Sequence, residues 1–323
     1  MSLSYEFSIG SVRAREKHLL SMPDYEQMLS MKSERDVITY LKDKGYPEGD
    51  NTEEVLSLRQ QQMWTYIRSV APDMVIFEPF YYQNDIHNFK TILKGTMFKK
   101  PYDTLLLSPA TIDTKILLSC IENRKFEALP EWLREPAAKA YELLAHTKDA
   151  RLSDGALDRA LMERLLSEGR YSGSLFLNRY FSTMVFYADI KIALRASNSK
   201  TTMEYLNTAL CECEGFDKQK TIKMIMAGSE RLVKYLEGIR AYDCKKAMQL
   251  YSERAGLFEK FVDNRLLRIA REMCRLSNEG PEPLFGYYIG CEYERRAVSI
   301  IASGVKTAAP VEQIRERLRE TYG

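Results

Sequence analysis

At 323 residues, with 45% hydrophobic and 28% charged residues, the chain has the size for two or three domains and the make-up of a soluble globular protein. Its 47 cations against 45 anions leave a net charge of +2, without the concentrated basic face that polyanion binding needs, so no nucleic-acid partner is expected. No apolar run approaches the roughly 20 residues that cross a bilayer. No secretory signal opens the sequence, so the six scattered cysteines read as reduced, mostly buried thiols of a cytoplasmic protein.

Helix signals dominate from end to end and convincing strands are nearly absent. Residues 11–20 predict a first helix, with Val12, Glu16, Leu19 and Leu20 on overlapping faces. Pro23 restarts the chain into a short helix ending near Met31. Ser33 and Asp36 form a capping-box pattern for a helix that runs to Lys44 and stops at Gly45. A long helix opens at Thr52 and closes at Pro72, and another runs to Gly95. Helices are then predicted from Asp113 to Asn123, from Pro136 as a first helical position, and from Ser153-Asp154-Gly155 to Gly169. The clearest apolar stripe follows, through Phe176, Tyr180, Met184, Tyr187, Ile190 and Leu194. Further helices are expected from Asp217 to Met226, around Leu232 and Leu236, from Phe258 to Leu276, and around Glu294 up to Gly304. Pro310 starts a last one carrying Val311, Ile314, Leu318 and Tyr322 on one face.

The stretch 85–94 returns in outline further along the chain. Asn88 with Lys90, Asp189 with Lys191, and Glu294 with Arg296 each set a short polar or acidic residue two positions before a cation. The offsets are 189−88 = 101 and 294−189 = 105, the mark of a repeat of that period. The pairs Ile112-Asp113 and Phe216-Asp217 begin the later copies, and Arg13 marks the first. Leu29, Leu129 and Leu232 sit at offsets of 16, 16 and 15 from these starts. The expectation is an all-α protein of three similar helical domains, 1–107, 108–212 and 213–323, the last with a closing C-terminal helix. The six anchor residues are candidate cavity or partner-interface groups about a pseudo-threefold axis; solvated helix faces with local ion pairs would give the same pattern.

No catalytic constellation survives inspection. Phosphate loops, G-x-G-x-x-G, G-x-S-x-G and H-E-x-x-H are all missing. His18, His87 and His146 lie far apart, and Cys211-Glu212-Cys213 is too tightly spaced for a zinc knuckle. Gly286 and Gly290 have the spacing for close helix approach. No catalytic residue, cofactor or metal is therefore expected.

Along its whole length the chain resembles the C subunit of the archaeal and bacterial V/A-type rotary ATPases, the counterpart of the d subunit in eukaryotic vacuolar enzymes. The resemblance rests on Arg13-Ala14-Arg15-Glu16 leading to Leu19-Leu20, on Asp85-x-x-Asn88-x-Lys90 ahead of Lys94, and on Tyr288-x-x-x-Glu292-x-Glu294 ahead of Arg296 and Gly304. Val311-Glu312-x-Ile314 with Leu318 also fits. Asp189 stands where an Asn is commoner, and Ala297 and Ser299 where Asn and Arg are expected. The resemblance implies a funnel-shaped, non-catalytic rotor subunit at the cytoplasmic face of the cell membrane, monomeric when isolated. It would seat on the proteolipid rotor ring and receive the D- and F-type central-stalk subunits, so that torque passes between ATP turnover and proton or sodium transport. A helical scaffold of another cytoplasmic complex and a helical enzyme are the rival readings.

Overall fold

A computed structural model describes residues 4–323, and the described chain is all-α. Its helices are, in chain order, α1 (Tyr5–Glu16), α2 (Met22–Leu29), α3 (Glu34–Asp43), α4 (Thr52–Val70) and α5 (Glu78–Phe98). Next come α6 (Thr114–Asn123), α7 (Glu131–Thr147), α8 (Ala150–Tyr171), α9 (Leu175–Ser197), α10 (Met203–Ala209) and α11 (Lys218–Met226). The last are α12 (Ser229–Glu237), α13 (Cys244–Glu253), α14 (Ala255–Cys274), α15 (Glu282–Lys306) and α16 (Val311–Arg317). Packing divides the chain into two compact units, Met1–Met74 with Gln249–Gly323, and Val75–Met248. The expected repeat boundaries, after 107 and 212, fall between helices.

Local chemistry sets most helix starts. Ser33 accepts from Asp36 N–H while Asp36 Oδ2 accepts from Ser33 N–H, the capping box the sequence predicts, and Gly45 follows α3 at φ +84°. Asp113 and Asp217 cap α6 and α11 by accepting backbone N–H groups at 2.8 and 2.9 Å. Three predicted starts shift. The first helix spans residues 5–16, because Ser4 caps it. Pro136 lies inside α7, which begins five residues earlier after Pro130. The helix assigned to Ser153 begins at Ala150, because Asp149 caps it by accepting Arg151 N–H at 2.8 Å.

The end of the chain departs most from expectation. The closing helix stops at Arg317, and Tyr322 lies beyond it. The polar groups of residues 319–320 find partners on α14 instead. Glu320 N–H donates to Asn264 at 3.0 Å, Arg319 pairs with Asp263 at 2.8 Å, and the Glu320 carboxylate meets Arg268. Those ties replace another helical turn.

In the first unit α15 is the central element. Its Ala297, Val298 and Ile301 pack with Leu20, Met28, Val37, Leu41 and Val55 in one buried cluster. In the second unit Phe89, Ile92 and Leu93 of α5 meet Leu117 and Ile121 of α6, Leu133 and Leu144 of α7, and Leu157 of α8. Each such side chain contributes about 1.5–3 kcal/mol on burial. The predicted α9 stripe is buried apart from a half-buried Met184, but Leu177, Phe181, Val185 and Phe186 are buried too. Thus α9 is enclosed on most sides rather than along one stripe.

The two glycines of the G-x-x-x-G spacing sit where α15 is approached closely. A Cβ on Gly286 would lie 2.7 Å from Cys274 Cβ and 2.2 Å from Tyr322 Oη. The tyrosine tip can retreat, but Cys274 Cβ is fixed to α14. Gly286→Ala should therefore cost ~1–3 kcal/mol through overpacking. Urea unfolding would check this, and an unchanged midpoint would mean that α14 has room to yield.

Candidate functional site

Three long helices each bury one carboxylate, and each carboxylate captures backbone from a distant segment. On α5, Asp85 is fully buried. Its Oδ1 accepts from Thr111 N–H at 2.8 Å and Ile112 N–H at 3.0 Å, and its Oδ2 accepts from the Thr111 hydroxyl at 2.6 Å. One turn on, the buried Asn88 donates to Leu107 carbonyl at 2.9 Å and accepts Leu107 N–H at 2.8 Å. The two side chains share a helix face. Together they hold residues 107–112 against α5, just ahead of α6.

On α9, Asp189 plays the same part. Its Oδ1 accepts from Cys211 N–H at 3.0 Å, with the Cys213 thiol 4.0 Å from Oδ2. Lys218 ties the other side of this segment, donating to the carbonyls of Asn207 and Leu210 at 2.8 and 2.7 Å. On α15, Glu294 is 4% exposed. Its Oε2 accepts from Leu20 N–H and its Oε1 from the Tyr46 hydroxyl. Arg59 lies over the Tyr46 ring at 4.6 Å and brings positive charge to the same place. Leu20 immediately precedes Ser21, the cap of α2.

The three carboxylates therefore act alike, each fixing the chain shortly before a helix start, at Ile112, Cys211 and Leu20. Their spacings are 189−85 = 104 and 294−189 = 105. Asp85, rather than Asn88, makes the bond equivalent to that of Asp189. The start equivalent to Ile112 in the first unit is Leu20, not Arg13. Arg13 instead donates to the carbonyls of Cys274 and Ser277, both at 2.8 Å, tying α1 to the end of α14.

Burial dominates the electrostatics of all three acids. It raises the Asp85 carboxyl, against the lowering effect of Thr111 and Ile112. It pushes Asp189 up to about 7, offset in part by Cys211 N–H, Lys218 and Arg159. It also raises Glu294, opposed by Tyr46, Leu20 and Arg59. Each hydrogen bond favours the charged form, and desolvation outweighs them.

The cations of the expected anchors have separate surroundings. Lys90 pairs with Asp158, and Lys94 with Asp154 at 3.1 Å, two rungs between α5 and α8. Lys191 is half-exposed on α9, and Arg296 is exposed on α15 with its guanidinium 5.5 Å from the Tyr293 ring centroid. Beside Glu294 a cleft of about 10 Å³, lined by Tyr46, Arg59 and Cys291 among others, has room for about one water. Among the described residues no group of three or more His, Cys, Asp or Glu side chains is placed to hold a metal ion, and no helix is long and apolar enough to cross a membrane.

The family model for the ATP synthase (C/AC39) subunit matches residues 8–317 of this chain. Curated relatives agree at low identity. The chain is 18% identical over 319 residues to the C subunit of the V-type sodium ATPase of Enterococcus hirae, covering 96% of this chain and 97% of the relative. It is 25% identical over 334 residues to the C subunit of the A-type ATP synthase of Methanobrevibacter smithii, covering 96% of this chain and 86% of the relative.

Proposed function

The chain belongs to the ATP synthase (C/AC39) subunit family, and from that premise we propose that it is a non-catalytic rotor subunit, a socket that joins the central stalk to the membrane proteolipid ring. The family match across residues 8–317 carries this reading. The names of both relatives, one the C subunit of a sodium ATPase and the other that of an ATP synthase, support it. Its partners are the D- and F-type stalk subunits on one side and the ring on the other, at the cytoplasmic face of the membrane.

The three buried carboxylates supply the physical basis. In the proposed arrangement, three modules (1–107, 108–212 and 213–323) surround a common hollow, and each acid fixes the chain where a module begins. Asp85 secures the second, Asp189 the third, and Glu294 ties α15 back to Leu20 to secure the first. Closing the third onto the first makes a ring of a linear chain. Densely packed helices then transmit twist with little internal give. Asn88, Asp189 and Glu294 serve as internal ties in this reading, and Lys90 is engaged with Asp158. The partner-facing role passes to Lys191 and Arg296.

The test is reconstitution from purified parts. The isolated chain should hydrolyse no ATP, bind a D–F stalk complex, and bind the detergent-solubilised ring. Stalk binding should weaken as salt screens the charged contacts. ATP hydrolysis by the isolated chain, or failure to bind either partner, would overturn the proposal.

A further inference from the structure

The last stretch of the chain lies along a track of glycines on α15. That helix carries three, Gly286, Gly290 and Gly304, at intervals of 4 and 14 residues, which keep them on one face at about 3.6 residues per turn. All three meet residues 311–323. A Cβ on Gly304 would lie 2.6 Å from Ile314 Cγ1, and one on Gly290 would lie 3.0 Å from the Tyr322 ring. A Cβ on Gly286 would strike the tip of the same tyrosine. Leu19 lies 3.0 Å from the Cβ position of Gly290, and Cys274 of α14 lies 2.7 Å from that of Gly286, so the tyrosine occupies a slot with glycine for its floor. Glycine weakens a helix interior, and here each one gives the C-terminal segment its close approach.

The segment is held mainly from within. Ile314, Leu318 and Tyr322, spaced four residues apart, are 3, 2 and 3% exposed. Residues 318–323 have no regular secondary structure. Around them the outward ties include Arg315 with Glu26 at 2.7 Å and Arg254 with Glu316 at 2.8 Å, pairs open to water, where such contacts contribute little. The link back to α15 is an exposed turn at Thr307, Ala308 and Pro310. Ala308 takes φ +51° there, the left-handed conformation that closes many helices with glycine and that a Cβ disfavours. A chain end gripped by three apolar anchors behind a strained, exposed turn is a unit that opens locally.

We propose that residues 311–323 form a strap that opens as one piece about the turn at 307–310 and recloses on the glycine track. Opening bares Ile314, Leu318 and Tyr322 together with the groove that receives them. These are the two halves of one interface, so the strap of a second copy fits the same track, as in domain exchange. Within one chain the tether holds the strap at high effective concentration, and the closed form prevails. Strap and track both lie in the first unit, so the device is independent of the rotor reading.

The experiment nicks the full chain after it has folded. A protease recognition sequence is inserted between Thr307 and Ala308, both exposed, and the purified protein is cut and mixed with an excess of labelled peptide spanning residues 308–323. The nicked protein should keep its helical circular dichroism, and the peptide should replace the resident strap and stay bound through gel filtration. A peptide carrying Tyr322→Ala should bind at least about tenfold more weakly, as loss of a buried aromatic anchor requires. Uncut protein should take up at least about tenfold less peptide, because its own strap fills the track. A resident strap that does not exchange, or loss of helical signal on cutting, would overturn the proposal by making the segment an inseparable part of the core. Equal binding of the Tyr322→Ala peptide, or equal uptake by uncut protein, would overturn it by making the binding indifferent to the track.

Discussion

Glu294→Leu is expected to lose about 3–5 kcal/mol of unfolding free energy at neutral pH. The carboxylate accepts from Leu20 N–H and the Tyr46 hydroxyl in a place where Glu294 is 4% exposed and both partners are buried. Leucine removes both acceptors, and the adjoining cleft has room for only about one water to serve the two stranded donors. Each stranded donor costs roughly 1–3 kcal/mol, and the loss of Arg59's nearby negative charge adds to the total. Since Leu20 stands directly before α2, the first helices of the chain would loosen from α15 together.

Glu294→Gln separates the hydrogen bonds from the charge. The amide oxygen can accept Leu20 N–H, and the amide nitrogen can donate to Tyr46 Oη once the hydroxyl turns, since a hydroxyl both gives and takes a proton. Because burial already raises the Glu294 carboxyl, removing its charge relieves a desolvation cost. Glutamine should therefore fall within about 1 kcal/mol of the unaltered chain. Denaturant unfolding of both variants decides the matter. If leucine and glutamine cost the same, the side chain serves as a spacer and not as a tie.

Why Asp85 and Leu20 escaped the sequence pattern while Asp189 and Glu294 did not is a question of range. The pattern sought a polar residue two positions before a cation, and that rule selects Asn88 because Lys90 follows it. The cations answer to other helices, as Lys90 does to Asp158. The acids answer to backbone 22 to 27 residues ahead in the second unit, and 274 residues away in the first. Nothing local marks those partners. The available signal is the near-constant interval among Asp85, Asp189 and Glu294, with isoleucine following the first two (Asp85-Ile86 and Asp189-Ile190).

Features decided within a few residues are legible: the box at Ser33 and Asp36, and the helix starts at Asp113 and Asp217, which the structure makes the caps one residue ahead. The short α10 is not, although Thr202 caps it through Tyr205 N–H at 3.1 Å. Seven residues carry too little periodicity to stand out. Apolar spacing that continues from Leu318 predicts a helical Tyr322. The ion pairs that draw residues 319–320 to α14 are tertiary, so periodicity could not reveal them.

Asp189→Asn should reverse the usual expectation for a buried aspartate and gain stability over the unaltered chain as pH rises. Burial holds this carboxyl at about 7 in the folded chain, against an ordinary 3.8. Between those values the folded state binds the extra proton, so the stability associated with Asp189 falls as pH climbs from about 4 to about 7, then levels off. The interval is about three pH units, and at ~1.4 kcal/mol per unit it sets an upper figure of about 4 kcal/mol. Asparagine does not titrate, and its Oδ1 can accept Cys211 N–H as the carboxylate does. The groups facing the site (Arg159 and Glu163 on α8, Lys218 on α11, and the thiols of Cys211 and Cys213) are the same in both proteins. The difference in unfolding free energy between variant and unaltered chain should therefore grow by roughly 2–4 kcal/mol from pH 4.5 to pH 8. Parallel pH profiles would mean that Asp189 stays ionised throughout, with Lys218 and Arg159 compensating fully for its burial. The predicted divergence would instead mean that the chain retains a costly acid at this position, and that holding the segment before α11 in one register is what the cost secures.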